Sequence, residues 1–93
     1  METIAKRLNI KTTEDYTRFY EKTKEYCDAI DKKVAELQVL SKEKSEVCKE
    51  NLNDIDFYID YEAVTSAISG LLDNKIHMLE MLNAVAEEFK EEQ

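Results

Sequence analysis

His77 is the residue of this chain best suited to chemistry, because an imidazole can bind a metal ion or transfer a proton near neutral pH. Asp73 lies four positions before it and Glu80 three positions after it, a spacing that places all three on one face of a helix. Di-metal helical bundles use a Glu-x-x-His motif on each of two helices, whereas this chain has the reverse order, His-x-x-Glu, once. We therefore expect no metal site and no cofactor.

The two cysteines, Cys27 and Cys48, are the next candidates for chemistry. Neither has a histidine partner in the sequence, and a single glycine does not make a phosphate-binding loop. On one continuous helix the two residues would lie about 30 Å apart, too far for a disulfide. Buried free thiols are the simple expectation, and a disulfide across a symmetric dimer is the alternative. We expect no enzymatic activity and no small-molecule substrate.

The composition indicates an all-α fold in one domain, residues 1–93. The chain has no proline, one glycine and no tryptophan, and it is rich in residues that favour helices. No apolar run approaches the roughly 20 residues that span a bilayer, and the start METIAKRLNIK is too short and too charged for a signal peptide. We expect a cytoplasmic protein without a membrane span, while noting that a leaderless export route would leave the same sequence.

Helix start and stop signals divide the chain. The run Thr12-Thr13-Glu14-Asp15 predicts a helix start, and Asn51, Asn53 and Asp54 cluster where the following apolar spacing fades. Asn53 followed by Asp56 resembles a second cap. The predicted elements are an N-terminal segment over 1–11, a first long helix over 13–51 and a second over 55–91. Their similar lengths favour an antiparallel helical hairpin, and one continuous helix in a long coiled coil is the alternative.

The second long helix carries a seven-residue repeat of apolar positions, in which Lys75 is the single polar exception. The repeat comprises Phe57, Tyr61, Val64, Ile68, Leu71, Lys75, Met78, Leu82, Val85 and Phe89. We expect these residues to form a seam against the first helix.

A third apolar column runs beside the predicted seam on each helix. On the second helix it contains Tyr58, Leu72 and Leu79, and on the first, counted from Tyr16, it contains Tyr20 and Val34. Two helices need only two columns to pack on each other. We therefore expect this third column to bind a second copy or a partner helix, completing a four-helix bundle.

Small and uncharged residues mark another candidate partner-binding surface, on the face of the second helix that points away from the seam. These residues are Ala63, Ser66, Ala67, Ser69, Gly70, Asn74 and His77. Small side chains let another backbone approach closely. The alternatives are that Gly70 bends the helix or that this face packs on the N-terminal segment.

The net charge of −8 resides in the second half of the chain, since residues 53–93 carry −8 whereas residues 1–11 carry +2. Such a surface repels phosphate, so we expect no nucleic-acid partner. The C-terminal acids could dock a basic partner or could simply remain solvated. They are Glu87, Glu88, Glu91 and Glu92.

These patterns predict a non-enzymatic protein–protein interaction module. A helical hairpin of about this size is similar to the small substrates and targeting partners of type VII secretion, which implies an escort for a secreted effector. Those proteins carry Trp-x-Gly in the turn and an aromatic-x-x-x-acidic signal near the C-terminus. Here the turn is Asn-Leu-Asn-Asp, and Phe89 is followed four positions later by Gln93. A further alternative is an acidic phage or plasmid inhibitor of a nucleic-acid enzyme.

Overall fold

The chain folds into helices joined by short turns. The computed structural model describes the backbone of residues 3–92 and the side chains of residues 3–90. Within that range the chain is all-helical and comprises α1 (Ile4–Arg7), α2 (Thr13–Glu50) and α3 (Ile55–Glu92). The two long helices pack against each other, which confirms the predicted helical hairpin. No helical segment between residues 3 and 92 combines the length and the apolar character needed to cross a bilayer.

Helix α2 begins where its capping residues predict. The Thr12 Oγ1 accepts a hydrogen bond from the Asp15 backbone N–H at 3.1 Å. In return, the Asp15 Oδ2 accepts hydrogen bonds from the N–H groups of Lys11 at 3.0 Å and Thr12 at 3.2 Å. This reciprocal pattern is a capping box, which satisfies backbone donors that a helix start leaves free.

The chain turns at residues 51–54 instead of continuing as one long helix. The Asn51 side chain donates to the Val47 carbonyl at 2.9 Å, and the Asp54 N–H donates to the Asn51 carbonyl at 3.0 Å. The Asp54 Oδ1 then accepts from the Asp56 N–H at 3.1 Å, which makes Asp54 the cap of α3. The sequence-based choice of Asn53 as this cap was wrong by one residue.

The chain is divided into two compact units. The terminal unit contains the residues up to Asp28 together with those from Lys75 onward, and the turn unit is Ala29–Asn74. Each long helix contributes to both units.

The core of the terminal unit is built around Val85, which is fully buried. Ala5 and Ile10 complete the buried cluster, and four half-buried apolar side chains pack against it. These four are Ile4, Tyr16, Phe19 and Phe89. The rings of Tyr16 and Phe89 lie 5.3 Å apart between centroids, with a tilt of 40°. The N-terminal segment therefore covers part of the apolar surface of α2 and α3 through Ile4, Ala5 and Ile10, whereas Leu8 is exposed.

Helix α1 is held at both of its ends. At the start, the Thr3 Oγ1 accepts from the Lys6 N–H at 3.1 Å. At the end, Asn9 adopts the left-handed conformation with φ of 60°, and the Ile10 N–H donates to the Ala5 carbonyl at 2.8 Å. This is the hydrogen-bond pattern of a Schellman motif, and it directs the Ile10 side chain back into the core.

Glu88 fastens α1 to α3. Its Oε1 accepts a hydrogen bond from the Ile4 N–H at 2.9 Å, and its Oε2 accepts from the Ala5 N–H at 2.8 Å. These donors belong to the first turn of α1, where backbone N–H groups have no partner within the helix. A carboxylate also suits the partial positive charge of a helix start.

In the turn unit, the buried apolar residues are Ile30, Val34 and Val64. Two polar contacts join the helices closer to the turn. The Lys44 Nζ lies 3.5 Å from the Asp60 Oδ2, and the Cys48 thiol donates to the Phe57 carbonyl at 3.0 Å.

The seam of α3 is as predicted, whereas α2 buries part of its predicted third column. Every predicted seam residue of α3, from Phe57 to Phe89, is buried or half-buried. On α2 the column through Thr23 and Ile30 keeps its seven-residue spacing, but the other column moves by one residue, so that Cys27 and Val34 are buried whereas Tyr26 is exposed. Strict seven-residue spacing from Phe19 would place Lys33 in the seam, where burial of its ammonium group is costly, whereas burial of the Val34 side chain is favourable.

Replacing Glu88 with alanine should free α1 from α3. Because hydrogen bonds to a charged acceptor contribute about 1.5–3 kcal/mol, we expect the free energy of unfolding in urea to fall by roughly that amount. Amide hydrogen exchange at Ile4 and Ala5 should accelerate. Glu87→Ala, which removes an exposed neighbouring charge, is the matched control. Equal stability and equal exchange in the two variants would contradict the role of Glu88.

Asp15 makes the stability of α2 depend on pH. Hydrogen bonds from the backbone N–H groups of Lys11 and Thr12 lower the pKa of Asp15. Its stabilising effect is therefore complete above the unfolded pKa of about 3.9 and is lost as pH falls through the lower folded pKa. We expect Asp15→Asn to be less stable than the natural chain near neutral pH and the difference to shrink toward about pH 2, measured by urea unfolding. A difference independent of pH would contradict this assignment.

Candidate partner-binding surfaces

The predicted small-residue face of α3 is open to solvent. All seven of its residues are exposed, with Ala63, Ser66, Ala67, Ser69, Gly70 and Asn74 in the turn unit and His77 in the terminal unit. A Cβ atom added at Gly70 would meet no described atom within 4 Å outside its own helix backbone. Close packing within the chain therefore does not require glycine here.

The predicted third column is exposed on α3, whereas on α2 one of its two residues is exposed and the other is buried. Tyr58 and Leu72 are exposed in the turn unit, and Leu79 is exposed in the terminal unit. On α2, Tyr20 is exposed, but Val34 is only 6% exposed. Val34 belongs to the seam within the chain, because of the register shift, and is not available as an outer contact.

The Tyr58 hydroxyl is oriented by its own helix. It donates to the Glu62 Oε1 at 3.1 Å, one turn further along α3. This hydrogen bond and the negative charge of Glu62 raise the pKa of Tyr58. Tyr58 therefore offers an apolar ring to a partner, while its hydroxyl group already has a hydrogen-bond acceptor.

The C-terminal acids differ in their surroundings. Glu87 is exposed, whereas both carboxylate oxygens of Glu88 are occupied by α1. The side chains of Glu91 and Glu92 lie outside the described residues. A basic partner would have to displace α1 in order to use Glu88.

The candidate metal ligands and the two cysteines lie in the described part of the chain. Residues 3–90 contain no group of three His, Cys, Asp or Glu side chains placed to hold a metal ion. Asp73, His77 and Glu80 are all exposed. Cys27 is buried and Cys48 is half-buried, and both are free thiols.

An exposed apolar surface at the turn was missed by the sequence analysis. Leu52 is 85% exposed, Ile55 69% and Ile59 55%, and we call these three residues the apolar tip. An open cavity of about 350 Å³ lies beside the tip and is lined by Cys48, Asn51, Leu52, Asn53, Asp54, Ile55 and Tyr58. Two features of the sequence could have indicated this surface. The three apolar residues do not follow the seam spacing of α3, and they lie in or shortly after a turn, where polar residues are usual.

Acidic residues outnumber basic ones near the apolar tip, where Lys44 and Lys49 of α2 are the nearest lysines in the sequence. Residues 50–74 include six acidic residues and no lysine or arginine. The acidic residues are Glu50, Asp54, Asp56, Asp60, Glu62 and Asp73. Of these, Asp60 pairs with Lys44 from α2.

No protein-family model, curated protein or solved structure matches this chain. Function is therefore inferred from the surfaces described above.

Replacing Gly70 with alanine should stabilise the chain. Gly70 does not have a positive φ, and open space surrounds the position of the added methyl group. We expect the free energy of unfolding to rise by about 0.5–1 kcal/mol, because glycine is a poor helix former. Ala67→Gly on the same face is the matched control and should lower it by a similar amount. Destabilisation by Gly70→Ala in urea would show that this face is packed in solution.

Proposed function

We propose that this chain is a non-enzymatic protein–protein interaction module, an acidic helical hairpin that packs on the helices of a second protein chain to complete a four-helix bundle. The second chain is either another copy or a different protein. The exposed apolar column on α3, defined by Tyr58, Leu72 and Leu79, forms the contact.

The observation that carries this proposal is the contrast between two neighbouring columns of α3. The seam residues are shielded throughout, whereas Leu72, next to seam residue Leu71, is 38% exposed, and Tyr58 and Leu79 are also exposed. Leu72 and Leu79 are seven residues apart, which on a helix is two turns on one face. Regular exposed leucines beside a packed seam are typical of a helix that packs on more than one neighbour.

Two narrower roles are consistent with this module. An escort for a secreted effector is favoured by the pairing of two 38-residue helices in a hairpin. An acidic inhibitor of a nucleic-acid enzyme is favoured by the stretch 50–74, which has no basic residue. Binding to a helical N-terminal domain would favour the escort, and steep loss of binding with added salt would favour the inhibitor.

Leu72→Glu should abolish association without unfolding the hairpin. A buried unpaired carboxylate in the contact is costly, whereas at a surface position the same residue is tolerated. We expect light scattering to give twice the 10.9 kDa chain mass for the natural chain and a single chain mass for Leu72→Glu, with unchanged helical circular dichroism.

Val39→Glu is the matched control, because Val39 is a 62% exposed apolar residue of α2. It should leave the mass at twice the chain mass. A dimer that survives Leu72→Glu would contradict the role of the column. If the natural chain stays monomeric at all concentrations, self-association is contradicted, and the α3 column would have to bind a different protein.

A further inference from the structure

The apolar tip is a second surface, separate from the leucines of the α3 column. We propose that the tip docks an amphipathic helix of another protein, one whose apolar face is flanked by lysine or arginine. Leu52, Ile55 and Ile59 would contact the apolar face, and the surrounding carboxylates would contact the basic flanks.

The apolar character of the tip is the first support. Leu52 lies in the turn itself, and its side chain is the most exposed of the large apolar residues in the described range. Ile55 and Ile59 follow one helical turn apart on α3, so their side chains project from the same face. Water solvates three large aliphatic groups poorly, and their burial by a partner would be favourable.

The tip is also preformed. Hydrogen bonds within the turn, from Asn51 to the Val47 carbonyl and from Asp54 to the Asn51 carbonyl, fix the backbone on either side of Leu52. The Asp54 cap fixes the first turn of α3, which carries Ile55. An open cavity of about 350 Å³ lies against these residues and can accept a side chain of the partner. A surface that is already ordered loses little conformational entropy on binding.

Charge identifies the kind of partner. Between Glu50 and Glu62 the chain has five acidic residues and no lysine or arginine. Of the nearby lysines of α2, Lys44 pairs with Asp60 at 3.5 Å and Lys49 directly precedes Glu50, so that five carboxylates in this stretch stand against two lysines. Basic residues at the edges of a docked helix would complement this excess of carboxylates and speed association.

The same charge argues against two other occupants. A second copy docked tip to tip would bring the same carboxylates together, and like charges across an interface are repulsive. The cytoplasmic leaflet of a membrane carries a negative surface potential and would repel the tip for the same reason. A helix is favoured because Ile55 and Ile59, one turn apart, match the ridge spacing with which helices pack.

The test uses a fluorescent peptide of about four helical turns with leucines on one face and lysines on both flanks. A peptide with glutamates in place of the lysines is the charge control. Anisotropy titrations would compare the natural chain with Leu52→Ser/Ile55→Ser, which preserves charge. Val39→Ser, a substitution of an exposed valine on α2, is the matched control. Circular dichroism checks that both variants remain helical.

We expect saturable binding of the lysine peptide, no binding of the glutamate peptide, and an affinity about tenfold weaker for the tip variant than for Val39→Ser. Amide resonances of residues 52–59 should shift on binding. Equal affinities for the tip variant and Val39→Ser would overturn the proposal, since they would indicate adhesion to charge alone. So would resonance shifts confined to other residues, absence of lysine-peptide binding, or tip-dependent binding to anionic vesicles. None of these outcomes depends on Leu72, so failure here is distinguishable from failure of the column.

Discussion

The packing of α2 along α3 is the interaction on which the rest of the structure depends. Each helix has 38 residues and carries one apolar stripe, which is unstable in water unless another stripe covers it. The turn at residues 51–54 supplies that cover from the same chain. Because the seam uses only part of each stripe, it also decides which apolar residues remain outside. The exposed column of α3 and the apolar tip are both consequences of where the seam lies.

Acidic residues contribute to this architecture as much as to its surface. Within residues 3–92, each helix start is satisfied by a carboxylate: Glu88 for α1, Asp15 for α2 and Asp54 for α3. Free backbone N–H groups and the positive end of the helix dipole both favour an anion at these places. Three acidic residues therefore have a structural role at helix starts, in addition to their contribution to the net charge of −8.

The surfaces left by the seam differ in chemistry and therefore suit different contacts. The α3 column offers leucines and a tyrosine ring, which favours packing against helices. The small-residue face offers little area and allows close backbone approach, and the apolar tip combines aliphatic groups with surrounding carboxylates. These differences in chemistry are the basis of the proposal that the chain binds other proteins through more than one surface.

The sequence by itself determined the features that depend on neighbours within a few residues. Helix content, the capping box at Thr12, the turn and the seam register of α3 follow from local propensity, side-chain hydrogen bonds and a regular repeat. The tertiary structure alone decided the rest. The shift that buries Val34 depends on which register of α2 best fits α3. The contact of Glu88 with α1 joins residues more than 80 positions apart. Exposure of the tip depends on what the seam leaves uncovered. These features depend on competition between contacts of residues far apart in the sequence, so they cannot be predicted from any short stretch of it.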